Sequence, residues 1–204
     1  MTAGRLKVQV RPVTRSTWPD LEALFAREGY PRWCWCMWWR TSRAEFERLC
    51  TAGRKAALRR LVDSGIPVGV LAYADGEPVG WCSVAPRETY PALERSRKLR
   101  RVDETPVWSV TCLYVAKPFR GQGAVDRLLR AAVQYVRAQG GTVVEAYPHV
   151  RPPGGRASDA YMGLLSTFLR MGFVEVARPS PDRSVVRYTV GRGAARRQEA
   201  VQPR

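Results

Sequence analysis

Histidine, acidic side chains and long apolar runs are all scarce in this chain of 204 residues. It has one histidine, His149, and its five cysteines form an odd number whose spacing matches no disulfide framework. Cys34 and Cys36 supply at most half of the ligands that a structural zinc site needs. We therefore expect no metal site, and free thiols of the kind found in a reducing compartment.

Apolar stretches of membrane-spanning length are also missing, since none approaches the roughly 20 residues that a membrane helix needs. The first residues lack the apolar segment of a secretory signal. Together with the cysteine pattern, these absences exclude membrane proteins and secreted disulfide scaffolds as classes. The hydrophobic content of 45% instead indicates a globular protein, which we expect to be cytoplasmic.

Basic side chains dominate the charge, with 34 Lys and Arg against 18 Asp and Glu and a formal net charge of +16. Such a field attracts polyanions, including nucleic acid, acidic lipid surfaces and phosphorylated cofactors. An Arg-rich composition that serves only solubility explains the charge equally well. We expect a single domain over residues 1–190 and a basic, disordered tail over residues 191–204.

The hydrophobic periodicity predicts an α+β domain around one mixed, mostly antiparallel, twisted sheet of about seven strands flanked by helices. A capping box, Ser42-x-x-Glu45, predicts the start of a helix, and Asp75-Gly76 predicts a hairpin. The last helix is expected to run from Ser158 to Met171. The predicted strands are 6–13, 68–74, 78–84, 107–115, 142–147, 173–177 and 185–190.

A glycine-rich turn, Arg120-Gly121-Gln122-Gly123, lies between the predicted strand 107–115 and a strongly amphipathic helix. Amides at a helix start are unpaired, and the helix dipole adds partial positive charge there, so such a turn can hold a phosphate. The turn matches neither a Walker loop nor a complete dinucleotide-binding fingerprint. A tight structural turn without a ligand is the alternative interpretation.

The stretch Leu113-Tyr114-Val115-Ala116-Lys117-Pro118-Phe119-Arg120-Gly121-Gln122-Gly123-Ala124 resembles the acetyl-CoA-binding motif of the GNAT superfamily of N-acetyltransferases. Downstream, Phe168-Leu169-Arg170-Met171-Gly172-Phe173 is similar to the last helix of that superfamily and its Gly-Phe ending. The order of predicted elements over about residues 5–190 agrees with the same fold. The segment 34–39 resembles an uncharacterised bacterial subgroup of the superfamily, which carries no information about the substrate.

This resemblance implies that acetyl-CoA is the cofactor and that the turn holds its pyrophosphate. Main-chain groups of the turn would bind the diphosphate, namely those of Arg120, Gly121, Gln122, Gly123, Ala124 and Val125. Main-chain groups at the end of the strand would hold the pantetheine arm and the thioester, namely those of Leu113, Tyr114 and Val115. Val125 stands where the motif usually has Gly or Ala, and we expect its side chain to point into the core.

The acid that protonates the departing thiolate is often a Tyr four residues before the Gly-Phe, and here that position is Phe168. Tyr161 lies two turns earlier on the predicted helix and is the candidate acid, with Cys112 and Ser166 as weaker candidates. The alternative is that Tyr161 only belongs to a core stripe with Leu164, Leu165 and Phe168.

Glu145 is the candidate base, because it lies on the strand beside 107–115, close to where the two strands would separate. Asp103 and Glu104 precede that strand. In so basic a protein, however, these carboxylates can simply pair with arginines. Positioning and a main-chain oxyanion donor can also supply much of the acceleration without a recognisable acid and base.

We therefore expect direct acetyl transfer to the amine of a small molecule or peptide in a ternary complex. A non-catalytic acyl-CoA-binding module is one alternative, and an RNA-directed acetyltransferase or RNA binder is a weaker one. We expect neither nucleic acid nor membrane as a partner, and a homodimer stays open. The aromatic segment Trp33–Trp39 is either a hydrophobic clamp or a wall of the acceptor site, and the loop with His149 is expected at its rim.

Overall fold

The computed structural model describes residues 8–27, 31–151 and 160–191. Its strands are β1 (Val8–Pro12), β2 (Val70–Ala74), β3 (Glu77–Pro86), β4 (Trp108–Val115), β5 (Val143–Ala146), β6 (Val174–Ser180) and β7 (Arg183–Thr189). Its helices are α1 (Trp18–Ala26), α2 (Pro31–Cys34), α3 (Arg43–Arg48), α4 (Thr51–Asp63), α5 (Pro91–Glu94), α6 (Ala124–Ala138) and α7 (Leu165–Arg170), with 3₁₀ turns at Arg87–Thr89 and Lys117–Phe119. The predicted basic tail lies outside the described residues, except for Gly191.

The seven strands form one sheet in the order β1-β2-β3-β4-β5-β7-β6. Strands β4 and β5 pair in parallel, and the other neighbouring pairs are antiparallel. The parallel pair requires a crossover, which α6 provides. The expected α+β fold with a mixed, mostly antiparallel sheet is therefore confirmed.

Two local sequence motifs, a helix cap and a hairpin turn, form the structures that they predict. The Ser42 hydroxyl accepts a hydrogen bond from the Glu45 amide at 3.2 Å and so caps α3. Asp75 and Gly76 both have positive φ, +50° and +84°, as a tight hairpin between β2 and β3 requires. No helix in the described ranges is long and apolar enough to cross a bilayer.

The sheet is packed on both faces. One hydrophobic cluster joins the sheet to α6 and α7, and a second joins it to α1, α4 and the aromatic segment. The apolar face of α6 enters the first cluster as its periodicity predicts, through Leu128, Leu129, Ala132 and Val136. This packing fixes the start of α6 against the end of β4.

Strands β4 and β5 separate within a few residues, which opens the sheet. They pair only from Trp108↔Val144 to Val110↔Ala146, after which β5 ends while β4 continues to Val115. On this open side the Leu113 amide donates to the carbonyl of Tyr161 at 2.6 Å. The segment before α7 therefore partly takes the place of a strand at the opening.

The expected helix from Ser158 to Met171 is wrong in its first half. Ser158 lies outside the described residues, and α7 begins only at Leu165. Gly163 has φ +82°, a left-handed conformation that does not continue a right-handed helix. Tyr161 consequently lies in a turn, and the proposed stripe that relates it to Phe168 by helical spacing does not exist.

Candidate active site

The glycine-rich turn adopts the conformation that its glycines allow. Gly121 and Gly123 have φ of +75° and +73°, and a Cβ at either position would meet no atom within 4 Å. These glycines are therefore needed for backbone conformation and leave open space above the turn. Gly123 is the N-cap of α6, so the unpaired amides of the first helical turn follow it directly.

A cavity of about 520 Å³ lies between this turn, the end of β4 and the start of α7. We call it the turn cavity; its lining residues are Leu113, Tyr114, Val115, Phe119, Arg120, Gly121, Gly123, Ala124, Val125, Asp126, Ala160, Gly163, Leu164, Thr167 and Arg170. Its size is within the usual range for small-molecule and cofactor sites. Of the residues that the sequence assigns to cofactor binding, only Gln122 is absent from this lining, and its side-chain Nε2 donates to the Pro118 carbonyl at 3.0 Å.

The charge around the start of α6 is balanced within the chain. Asp126, in the first helical turn, would repel a bound phosphate. Its carboxylate, however, accepts a hydrogen bond from Arg170 of α7 at 2.8 Å. The pair leaves Arg120 and the helix dipole as the features that favour an anion.

Two main-chain groups at the end of β4 are already engaged. The Leu113 amide binds the Tyr161 carbonyl, and the Val115 carbonyl accepts from Nε of Arg120 at 2.9 Å. A pantetheine arm that hydrogen-bonds these two groups must replace those contacts. Binding there would thus release both Arg120 and the turn around Tyr161.

Val125 lies at the boundary between the core and the turn cavity. It is partly buried, packs against the first hydrophobic cluster and also lines the turn cavity, whereas its neighbour Ala124 is buried. Successive residues of a helix are rotated by about 100°, so the second residue of α6 lies beside the buried stripe. The contact with the core agrees with the expectation for Val125, although the side chain is not fully enclosed.

Phe168 is fully buried, and its ring packs edge-on against Phe173 with centroids 5.1 Å apart. It is a core residue and not part of the cavity lining. Gly163 lies directly against it, since a Cβ there would be 2.6 Å from the Phe168 ring. The position at which the family often has its Tyr is therefore buried in the core and does not reach the turn cavity.

Tyr161 lies between two cavities. Its carbonyl binds Leu113 of the turn cavity, and its side chain lines a second cavity of about 630 Å³. We call this the aromatic cavity; its lining residues are Trp38, Trp39, Ser96, Lys98, Leu99, His149, Arg151, Tyr161, Ser180, Asp182 and Arg183. Burial raises the pKa of the Tyr161 phenol, and nearby Arg183 opposes that shift. The phenol therefore keeps its proton at neutral pH.

His149 belongs to the aromatic cavity, although the sequence assigns it no role. Its amide donates to the Gly163 carbonyl at 2.9 Å, and its carbonyl accepts from the Leu165 amide at 2.8 Å. Its Nε2 atom is buried and has no hydrogen-bond partner in the described part of the chain. Burial, and then Arg183, lower the pKa of the imidazole, which is therefore neutral at pH 7. The sequence feature that points to this site is the position of His149 three residues after the end of β5.

Glu145 lines neither cavity. Its side chain is 1% exposed and accepts hydrogen bonds from Arg87 at 3.0 Å, Tyr147 at 2.7 Å and Arg187 at 2.8 Å. Both carboxylate oxygens are occupied by guanidinium groups and the side chain reaches neither cavity, so this position argues against the expected role as base. Asp103 also pairs with Arg187, which holds the pKa of that carboxyl well below its usual range.

The aromatic segment combines both interpretations that its sequence allows. Trp35 is buried, stacks on Trp18 at 5.9 Å and packs edge-on against Phe25 at 5.2 Å. Trp38 and Trp39 instead line the aromatic cavity. The clamp and the wall are therefore different residues of one segment.

The weaker acid candidates are placed less favourably. Cys112 is buried beside Cys36 in the second hydrophobic cluster, and Ser166 is an exposed residue of α7 outside both linings. Within the described ranges, no cluster of three or more His, Cys, Asp or Glu side chains is arranged to hold a metal ion.

The acetyltransferase (GNAT) family matches the chain over residues 18–164. Solved structures match it too: a GNAT-family acetyltransferase from Streptococcus pneumoniae has a TM-score of 0.52 at 14% identity, covering 91% of this chain and 100% of that one. The PaiA N-acetyltransferase of Thermoplasma acidophilum, in complex with coenzyme A, has a TM-score of 0.52 at 14% identity, covering 90% and 99%. A ribosomal-protein-alanine N-acetyltransferase from Brucella melitensis has a TM-score of 0.51 at 19% identity, covering 89% and 99%. None of the curated proteins compared with the chain matches it.

The structural neighbours share the fold at low sequence identity, and they bear on the architecture alone. The family match also bears on the reaction, because it extends over more than half of the chain and includes β4, the turn and α6. Acyl-CoA-dependent acetyl transfer is the general reaction of that family. The chain belongs to the acetyltransferase (GNAT) family and is an acyltransferase.

Proposed function

We propose that this protein transfers an acetyl group from acetyl-CoA directly to an amine that binds in the aromatic cavity. One observation carries the proposal: Leu113 and Tyr161 are hydrogen-bonded to each other while lining different cavities. The two cavities therefore adjoin at this contact, and a thioester whose pantetheine arm replaces it would lie beside an amine in the aromatic cavity. Such positioning is itself a large part of catalysis for a bimolecular transfer.

The turn cavity is suited to acetyl-CoA, which supplies the activated acetyl group. The turn and the first amides of α6 would hold the diphosphate, with Arg120 as the nearest cation. Leu113 and Val115 would exchange their present partners for the pantetheine arm. Asp126 causes little repulsion because Arg170 neutralises it.

Two side chains of the aromatic cavity are suited to the proton transfers. Tyr161, with its raised pKa, holds a proton that it can donate to the departing thiolate. His149, with its lowered pKa, is neutral and can accept the proton that the amine loses on attack. Glu145 has no part in this scheme.

Acetyl-CoA binding tests the proposal, and the chain offers a matched pair of variants. In Gly123→Asp a carboxylate enters the open space above the turn, and we expect affinity for acetyl-CoA to fall at least about 100-fold through charge repulsion. Gly76→Asp is the control, because Gly76 also has positive φ and open space around its Cβ but lies in the β2–β3 hairpin, outside the lining of the turn cavity. Equal affinity of both variants and the parent chain, measured by titration calorimetry, would contradict the proposal.

A non-catalytic acyl-CoA-binding module is the second candidate, favoured by Phe168 being buried where the family often has its acid. Release of the CoA thiol across a panel of amines distinguishes the two functions. Acetyl-CoA binding with no amine-dependent thiol release would favour the binding module.

A further inference from the structure

The aromatic cavity has an imbalance of charge. It is lined by three cations, Lys98, Arg151 and Arg183, and by one carboxylate, Asp182. In the described ranges none of these cations lies within 4.0 Å of a carboxylate oxygen, whereas the neighbouring Arg87 and Arg187 are both ion-paired. The cavity therefore holds positive charge that the described residues leave uncompensated.

Arg183 is the most buried of these three cations. It is half-buried, and its Nη1 donates to the Tyr147 carbonyl at 2.9 Å and contacts the Met162 sulfur at 3.4 Å. Its Nε and Nη2 have no acceptor among the residues with described positions, although a guanidinium offers five N–H donors. Burial lowers the pKa of this guanidinium, and Tyr161 and Asp182 oppose that shift. The unused donors reach the solvent of the cavity, where a carboxylate or phosphate can bind them with charge-assisted hydrogen bonds.

The rest of the lining indicates which other parts of a ligand the cavity can hold. Trp38, Trp39 and Leu99 form an apolar wall, and Trp38 keeps 40% of its surface exposed. At the Tyr161 end, the buried Nε2 of His149 lacks a partner in the described structure. One cavity thus combines a site for an anion, an apolar surface and a polar end beside Leu113.

We infer that the acceptor is an amine that also carries an anion, a carboxylate or a phosphate, which binds Arg183 beside His149 while an apolar part of the molecule lies against Trp38 and Trp39. The inference rests on the proposed function for the amine only. The anion site is a property of the cavity itself, so it can be tested without the cofactor.

Binding of matched probes tests the anion. Quenching of tryptophan fluorescence would compare phenylalanine with phenylalaninamide, and O-phosphoethanolamine with ethanolamine, on the full chain with and without saturating CoA. We expect the anionic member of at least one pair to bind about tenfold more tightly than its neutral partner. The first pair reports a carboxylate and the second a phosphate. Absence of any anionic preference in both pairs would overturn the inference.

Variants show whether Arg183 is responsible. Arg183→Gln should remove the preference, while Arg178→Gln, which removes the same charge from the exposed Glu175 pair on β6, should preserve it. A preference that survives in Arg183→Gln would overturn the inference. If that variant does not fold, Arg151→Gln and Lys98→Gln remove the exposed cations of the same cavity and should each reduce the preference about two- to threefold, given solvent screening.

Acetyl-CoA titration of the same proteins separates the two proposals. Anion preference without acetyl-CoA binding would leave the inference standing and remove the proposed function. Acetyl-CoA binding and thiol release without anion preference would support the proposed function and overturn the inference about the acceptor.

Discussion

The turn cavity and the aromatic cavity are built in different ways. The residues that bear on the turn cavity are mostly contiguous, from Leu113 to Asp126, and they offer mainly main-chain groups. The aromatic cavity is assembled from segments that run from Trp38 to Arg183, and it offers side chains. A main-chain site suits a ligand common to many proteins, whereas a side-chain site can be changed one residue at a time to suit a particular acceptor.

The cavities also differ in how their charges are compensated. In the turn cavity Asp126 and Arg170 pair with each other, while in the aromatic cavity Arg183 lacks a carboxylate partner in the described structure. The shape of the turn cavity is therefore set mainly by local backbone conformation, with Arg120 as a cation in its lining. The aromatic cavity depends on a buried network that holds its side chains in place: Arg87 donates to the Leu99 carbonyl at 2.6 Å, and Arg183 to that of Tyr147.

The largest expected effect follows from breaking that network. Glu145→Gln removes the buried carboxylate that Arg87 and Arg187 share, although each arginine keeps a second carboxylate, Glu94 or Asp103. We therefore expect a loss of about 2–4 kcal/mol from the free energy of unfolding, somewhat less than for an unpaired buried charge. At roughly 2–4 °C per kcal/mol, the melting temperature should fall by about 4–16 °C. The acetyl-CoA affinity of the folded variant should be unchanged. Glu175→Gln, at an exposed pair, is the control and should shift melting little.

The same variant decides the role of Glu145. If Glu145 were the base, kcat should fall by about 10²–10⁴ with little change in melting temperature. That outcome would restore the role that the sequence suggests and refute the structural one.

Tyr161→Phe acts on the residue that the two cavities share. It removes the proton donor but changes no main-chain group that the pantetheine arm would use, so kcat should fall about 100-fold while the Kd for acetyl-CoA stays constant. Rapid-quench kinetics with a good acceptor would measure both. An unchanged kcat would show that the thiolate leaves without this phenol.

Gly163→Ala should disturb both cavities at once. Its Cβ would lie 2.6 Å from the Phe168 ring and 3.1 Å from the Leu113 side chain, and we expect a loss of about 2 kcal/mol from strain and crowding together. Gly140→Ala has a similar φ, +81°, with open space around the Cβ, so it measures the backbone strain alone. Equal destabilisation of the two variants in urea unfolding would show that the crowding is relieved by small movements.

The smallest effect is a pH dependence of the aromatic cavity. Burial, and then the facing Arg183, lower the pKa of His149 below the ordinary value of 6.5, while Asp182 opposes the shift. Its neutral form is therefore favoured in the folded chain, and kcat/KM should stay level at neutral pH and fall only below about pH 6.5. The associated stability is likewise present above the unfolded pKa and lost as pH falls through the folded pKa. An acid limb that persists unchanged in His149→Gln would assign it to another group.

The turn and the fold were readable from the chain because their determinants are local. Glycines at 121 and 123 specify positive φ, and the apolar face of α6 specifies how the helix packs. The last helix was misjudged because its determinant is not local. The 2.6 Å contact from Leu113 holds Tyr161 in a turn, against an apolar spacing that favours a helix.

By itself the sequence determined the seven-stranded α+β fold, the position of the phosphate-type turn and the family resemblance, since propensity and periodicity act over a few residues. Only the tertiary structure decided the surroundings of Glu145, Tyr161, His149 and Arg183. The two arginine partners of Glu145 lie 58 and 42 residues away, and both bind the carboxylate that the sequence suggests as a base. A side chain's protonation and access depend on neighbours that the fold brings together, and no local pattern specifies them.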